Sequence, residues 1–156
     1  MIQRIQSLYL FIALLAVASM LLFPIAAFNL DSPEFYVLDA AGLKNSLGEI
    51  VNVSANWSVH IVIILTALVI LFALLKYKNR GLQLKLLRLS YLLLAGILVG
   101  LYFLIRKNAE ASGLEQIDMQ YGPSYFMPVV AILLVFMAQR GIKKDDELVK
   151  SLDRLR

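Results

Sequence analysis

The apolar residues of this chain form four long runs, and short polar segments separate them. A helix needs about 20 apolar residues to cross the roughly 30 Å hydrocarbon core of a bilayer. The pattern therefore predicts an all-α integral membrane protein whose spans pack as a four-transmembrane-helix bundle. The predicted spans lie at about 8–28, 57–75, 89–105 and 122–139.

The first and fourth runs have rival interpretations. A cleaved signal peptide could explain 8–28, but the apolar core of such signals is only about 7–15 residues long. In the fourth run only the 14 residues 125–138 are strictly apolar, so flanking residues must help it to cross. An even number of spans is nevertheless favoured, because residues 140–156 carry six Lys and Arg residues and should stay in the cytoplasm.

Charge predicts the orientation of these spans. The hinge 76–88, KYKNRGLQLKLLR, has five positive charges and no acid. Short loops rich in Lys and Arg stay in the cytoplasm, so the hinge and both chain ends should lie there. The predicted outer loop 29–56 has a net charge of −3. The second outer loop, 108–124, has three acids, and the adjacent Arg106 and Lys107 reduce this to −1.

The first outer loop shows a β-prone pattern. Residues 51–57 alternate between apolar and polar side chains, which is typical of a half-buried strand. Residues 35–38, FYVL, form a second β-prone run, and a segment rich in turn formers separates the two. The sequence therefore predicts a small β-hairpin that caps the outer ends of the helices.

Composition supports one membrane domain over residues 1–156. The chain is 60% hydrophobic, whereas soluble domains average roughly 45–50% apolar. Its net charge of +4 is explained by topology and by attraction to the lipid bilayer, because 12 of its 15 Lys and Arg residues lie in predicted cytoplasmic segments. We therefore expect no nucleic-acid partner. The absence of cysteine excludes thiolate metal sites and disulfide chemistry.

Two further patterns suggest contact surfaces. Gly141 is expected to break the fourth helix, and 142–156 is predicted to form a separate amphipathic helix. Its apolar stripe would dock on a partner or a lipid surface, or the helix would fold back on the basic hinge. Gly96 and Gly100 form a small-x-x-x-small pattern, which packs against another span of the chain or forms a homodimer face. The predicted stripe comprises Leu148, Val149, Leu152 and Leu155.

The spans contain no Asp, Glu, Lys or Arg between their ends, which disfavours pumps and proton-coupled transporters. No cofactor or metal site is predicted. The leading hypothesis is a non-catalytic accessory or scaffold subunit that binds other membrane proteins. A small transporter or pore for an apolar or small solute is one alternative. Another is an outer-surface enzyme that uses His60 with an acid from the outer loops: Asp31, Glu34, Asp39 or Asp118.

The two chain ends carry a family resemblance. The opening MIQRIQSLYLFIALL and the closing RGIKKDDELVKSLDRLR resemble domain-of-unknown-function family 4293, a bacterial family of small four-span membrane proteins. The resemblance covers essentially the whole chain. It implies an inner-membrane protein with both ends in the cytoplasm, and it brings no catalytic residue with it.

Overall fold

The computed structural model describes residues 2–29, 35–39, 42–52, 57–111 and 118–153. Within these ranges the chain is mostly helical, with a small antiparallel sheet. Three helices are long and apolar enough to cross a membrane, and the first is a shorter apolar helix. The predicted helical class is thus confirmed in outline. The helices are α1 (Ile2–Ser19), α2 (Trp57–Leu75), α3 (Arg80–Ala111) and α4 (Pro123–Asp153).

Buried positions recur in every helix at alternating steps of three and four residues. This seven-residue spacing is typical of helices that pack side by side at a shallow angle. In the order α1–α2–α3–α4, each helix packs against the next, and α4 packs against α1 in the most extensive contact of all. We call these buried positions the seam. They are 6, 10, 13 and 17 in α1, with 20 in the turn after it; 59, 63, 66, 70 and 73 in α2; 83, 87, 90, 94, 97, 101, 104 and 108 in α3; and 124, 128, 131, 135, 138 and 142 in α4.

The end of the first predicted span needs correction, because α1 ends at Ser19 instead of continuing to residue 28. The chain tightens there through turn bonds such as Leu21 N to Ala18 O at 3.1 Å. Pro24 has no N–H to continue a helix. The apolar residues that follow form β1 (Ala26–Asn29), which pairs with a strand on each side.

The predicted hairpin is a five-stranded antiparallel sheet in the order β4-β3-β2-β1-β5. The expected strand at 35–38 is confirmed as β2 (Phe35–Leu38), but it pairs with β1 and β3, not with the strand near residue 51. Residues 53–56 of the predicted alternating strand lie outside the described residues. The other strands are β3 (Leu43–Lys44), β4 (Ile50–Asn52) and β5 (Asp118–Tyr121).

The sheet ties the end of α1 to the start of α4. Gly122 N donates to Ile25 O at 2.8 Å, and the buried Ser124 Oγ donates to Phe23 O at 2.6 Å. A Cβ at Gly122 would overlap the carbonyl oxygen of Pro24, so only glycine allows this approach. We call this the sheet end of the molecule.

The opposite end holds the turn between α2 and α3, and we call it the hinge end. The predicted hinge 76–88 is mostly helical, because α3 begins at Arg80. Asn79 caps that helix, since its Oδ1 accepts a hydrogen bond from Leu82 N at 3.1 Å. The predicted break at Gly141 is wrong: α4 runs without interruption from Pro123 to Asp153. The predicted separate tail helix 142–156 is thus a continuation of α4 as far as residue 153, and the last three residues lie outside the described ranges.

Candidate functional site

At the hinge end, the outermost seam positions of α1 and α3 hold polar side chains. Gln6 and Gln83 are both buried, and they precede the first apolar seam residues of α1 and α3 by one step. Gln6 Nε2 donates to Asp145 Oδ2 at 2.8 Å, which joins α1 to α4. Gln83 Nε2 donates to Ala73 O at 3.0 Å, which joins α3 to one of the last carbonyls of α2. These polar contacts close the hinge end.

Two neighbouring residues complete this cluster. Arg80 Nη1 donates to Asp145 O at 3.1 Å, so the start of α3 also holds α4. Gly141 lies under the Gln6 side chain, and a Cβ there would stand 2.9 Å from Gln6 Cγ. Gly141 therefore allows α1 and α4 to approach closely. The hinge-end cluster consists of Gln6, Arg80, Gln83, Gly141 and Asp145.

A cavity and a groove adjoin the cluster. The cavity has about 30 Å³ open to the centres of water molecules, which is room for about two of them. The groove is open to solvent and runs between the hinge and the tail of α4. Tyr77 and Arg80 border both spaces. The cavity is lined by Gln6, Ser7, Tyr77, Arg80, Gln83 and Ile142, and the groove by Tyr77, Lys78, Asn79, Arg80, Gly81, Asp146 and Val149.

The predicted contact stripe of the tail lies on the continuation of α4 beyond this cluster. Leu148 is 51% exposed and Val149 is 43% exposed, although Val149 is the seam position that follows Asp145. Leu152 belongs to α4, but its side chain lies outside the described residues, and Leu155 lies outside them altogether. The stripe is thus an apolar surface as far as it is described.

The two predicted packing glycines differ in their surroundings. A Cβ at Gly100 would meet Val59 Cγ2 of α2 at 3.4 Å, so Gly100 lies at a contact within the chain. Gly96 is exposed, and no heavy atom beyond its own stretch of helix lies within 4 Å of a Cβ placed there. The homodimer face therefore stays a prediction for Gly96.

The described residues of the enzyme hypothesis lie near the sheet end and do not form a site there. His60 is half-buried in the first turn of α2 and has an interaction partner. Asp39 pairs with Lys44 at 2.6 Å and accepts a hydrogen bond from Gly42 N, so it supports a turn. Within the described ranges, no three His, Asp or Glu side chains could hold a metal ion. Asp31 and Glu34, and the side chain of Asp118, lie outside those ranges.

A comparison with known protein families identifies the family of this chain. The family described as Domain of unknown function (DUF4293) matches residues 2–155. The chain belongs to this family. The match confirms the resemblance that the two chain ends carry. None of the curated proteins matches the chain.

The DUF4293 match includes all four helices and the sheet, so the hinge-end cluster and the groove belong to the family's own unit. Sequence reasoning missed Gln6 and Gln83. The signal was present, because both continue the seven-residue spacing of the leucines that follow them. Chemically, Gln6 and Gln83 donate to oxygen atoms of the protein, whereas Lys78 and the other N–H groups of Arg80 can meet an anion in the groove.

Proposed function

We propose that this protein crosses the bacterial inner membrane four times as a four-helix bundle, with both ends in the cytoplasm, and acts as a non-catalytic accessory or scaffold subunit. Two hydrogen bonds, one from α1 and one to the turn that follows it, join this segment to α4 and support four crossings. Gln6 meets Asp145 at the hinge end, and Phe23 meets Ser124 at the sheet end. From Ser124 to Asp145 α4 rises roughly 32 Å, close to the thickness of a hydrocarbon core. Residues 6–23, which comprise most of α1 and the turn after it, join the same two levels.

The outer surface supports this placement. Large apolar side chains are exposed on all four helices, for example Leu15, Ile61, Leu92 and Leu133, each at least half exposed. Charged residues lie beyond this apolar surface, towards the two ends. The hinge end carries most of the Lys and Arg residues, so the positive-inside rule orients it towards the cytoplasm.

The interior supports a structural role. Thr66, Ser90 and Asn108 are fully buried on seam positions, and each donates a hydrogen bond to a carbonyl of its own helix at 2.7–2.8 Å. Such local bonds satisfy polar groups between packed helices without lining a path for a solute.

One observation carries the scaffold role: the seam of α4 continues past the hinge end into an exposed apolar surface. Inside the molecule the same face is covered by the neighbouring helices. At Val149, and at the adjacent Leu148, apolar side chains are about half exposed on the cytoplasmic side of the proposed bundle. An amphipathic helix end of this kind fits a helix or groove of a partner protein.

The test is affinity purification from the native membrane in mild detergent, after crosslinking in the cell. We expect a stoichiometric membrane-protein partner that is lost when Leu148→Gln and Val149→Gln are combined. The matched control combines Leu47→Gln and Val51→Gln, which change a Leu and a Val at the sheet end that are more exposed than Leu148 and Val149.

If the tail variant keeps the partner and the control variant loses it, the partner binds the sheet and not the tail. A protein that always purifies alone contradicts the scaffold proposal. Purified protein in vesicles should then be tested for solute flux, which the transporter hypothesis requires.

A further inference from the structure

The groove between the hinge and the tail of α4 has basic groups on one wall and apolar groups beside them. Lys78 and Arg80 project from the start of α3 and the turn before it. Tyr77 adds an exposed aromatic ring, and Val149 adds an apolar side chain from α4. This combination of cation, aromatic ring and aliphatic group fits an amphiphilic anion.

No ion pair joins these cations to an acid of the tail within the described part of the chain. Among the described residues, neither Lys78 nor Arg80 forms an ion pair, although Asp146 lines the same groove. The carboxylate of Asp145 accepts its hydrogen bond from Gln6, while Arg80 donates to the backbone carbonyl of Asp145. That bond orients the guanidinium and uses only one of its five N–H donors. The remaining donors can serve an external anion.

The groove lies at the hinge end of the exposed apolar surface, and on α3 the exposed Lys85 and Arg88 lie between Leu82 and the apolar residues that follow. Leu75, 58% exposed, closes α2 just before the turn, and Leu82, 39% exposed, lies in the first turn of α3. In a membrane this boundary coincides with the headgroup level, where Tyr side chains are also favoured. A phosphate held there would leave its acyl chains beside the exposed leucines.

We propose that this groove binds the phosphate headgroup of an anionic phospholipid, with Lys78 and Arg80 as its ligands. The proposal uses the membrane placement argued above but not the scaffold role. The rival account is diffuse attraction of a basic loop to a negative surface, which needs no defined site. A defined site makes a different prediction: Lys78 and Arg80 must contribute more to lipid affinity than other basic residues at the same end.

The test is native mass spectrometry of the detergent-purified full chain, titrated with phosphatidylglycerol. Phosphatidylcholine and inorganic phosphate serve as parallel probes. The variant combines Lys78→Gln with Arg80→Gln, and the matched control combines Lys85→Gln with Arg88→Gln. The control removes the same residue types and charge from exposed positions of α3 outside the groove.

We expect phosphatidylglycerol to bind at least about tenfold more weakly to the groove variant, and to bind the control as it binds the wild type. Lys78→Gln alone should weaken binding about fivefold without changing the melting temperature, because the Lys78 side chain makes no hydrogen bond within the described structure. This single variant keeps the test valid if loss of the Arg80 bond disturbs the fold.

Three results would overturn the proposal. Equal weakening in the groove variant and the control would indicate diffuse attraction. Equal affinity for phosphatidylcholine would show that the anionic headgroup is not recognised. Inorganic phosphate that binds with the same dependence on Lys78 would make this a site for free phosphate. The scaffold proposal survives each of these results, because the titration contains no partner protein.

Discussion

Gly141 and Gly96 are both helical glycines, yet only Gly141 lies where two helices approach each other closely. A Cβ at position 141 would stand 2.9 Å from Gln6 Cγ and 3.1 Å from Gln6 Nε2, whereas a Cβ at 96 meets no neighbouring element. Alanine raises helix propensity by a similar amount at both sites. Gly141→Ala should therefore be less stable than Gly96→Ala by about 1–3 kcal/mol, the usual cost of overpacking.

Thermal unfolding of the two variants in the same detergent measures this difference. Equal melting temperatures would show that Gln6 moves aside without cost. In that case Gln6 would not hold α1 against α4.

Single residues also show how far the sequence could predict the hinge-end cluster. Gln6 and Gln83 fall on the seven-residue spacing, so a search for polar residues on that spacing would have identified them. The role of Gly141 could not be foreseen in this way. Glycine lowers helix propensity, which suggested a break, but the contact of α4 with α1 overrides that preference.

Among the elements, the end of α4 allows the sharpest test. Ile142 is 1% exposed and Asp145 holds Gln6, whereas Leu148 is half exposed. Removal of 148–156 should therefore change the free energy of unfolding little, by about 0.5 kcal/mol or less. Removal of 142–156 should cost roughly 3 kcal/mol or more, since it takes away a buried side chain and the partner of Gln6.

The two truncated proteins are compared by thermal unfolding in mild detergent. A large loss of stability from the shorter deletion would mean that the tail beyond Glu147 packs on the rest of the molecule. That result would contradict a role of the exposed Leu148 side chain in binding a partner.

Apolar content alone predicts the wrong end for the first helix. Residues 20–28 are apolar enough to extend α1, but β1 lies between β2 and β5, and β5 comes from a distant part of the chain. A single sequence does not reveal such pairing. The alternating pattern near residue 51 did locate a strand, because alternation is a local property of that segment.

For the whole molecule, four crossings with both ends in the cytoplasm can be tested directly, because the chain contains no cysteine and any introduced cysteine gives an unambiguous label. Gln3→Cys lies near the start of α1, Lys144→Cys lies at the hinge end, and Leu47→Cys is exposed at the sheet end. In intact spheroplasts a membrane-impermeant maleimide should label Leu47→Cys alone. The other two should react only after permeabilisation, and the cysteine-free parent should not react.

The position of α1 decides between three and four crossings. If α1 does not cross, Gln3→Cys should react from outside together with Leu47→Cys, while Lys144→Cys stays protected. The contact between Gln6 and Asp145 argues against this, because it places the start of α1 beside the hinge-end part of α4. If Lys144→Cys is labelled from outside and Leu47→Cys is protected, the protein has the opposite orientation in the membrane. The phospholipid groove would then face the outer leaflet.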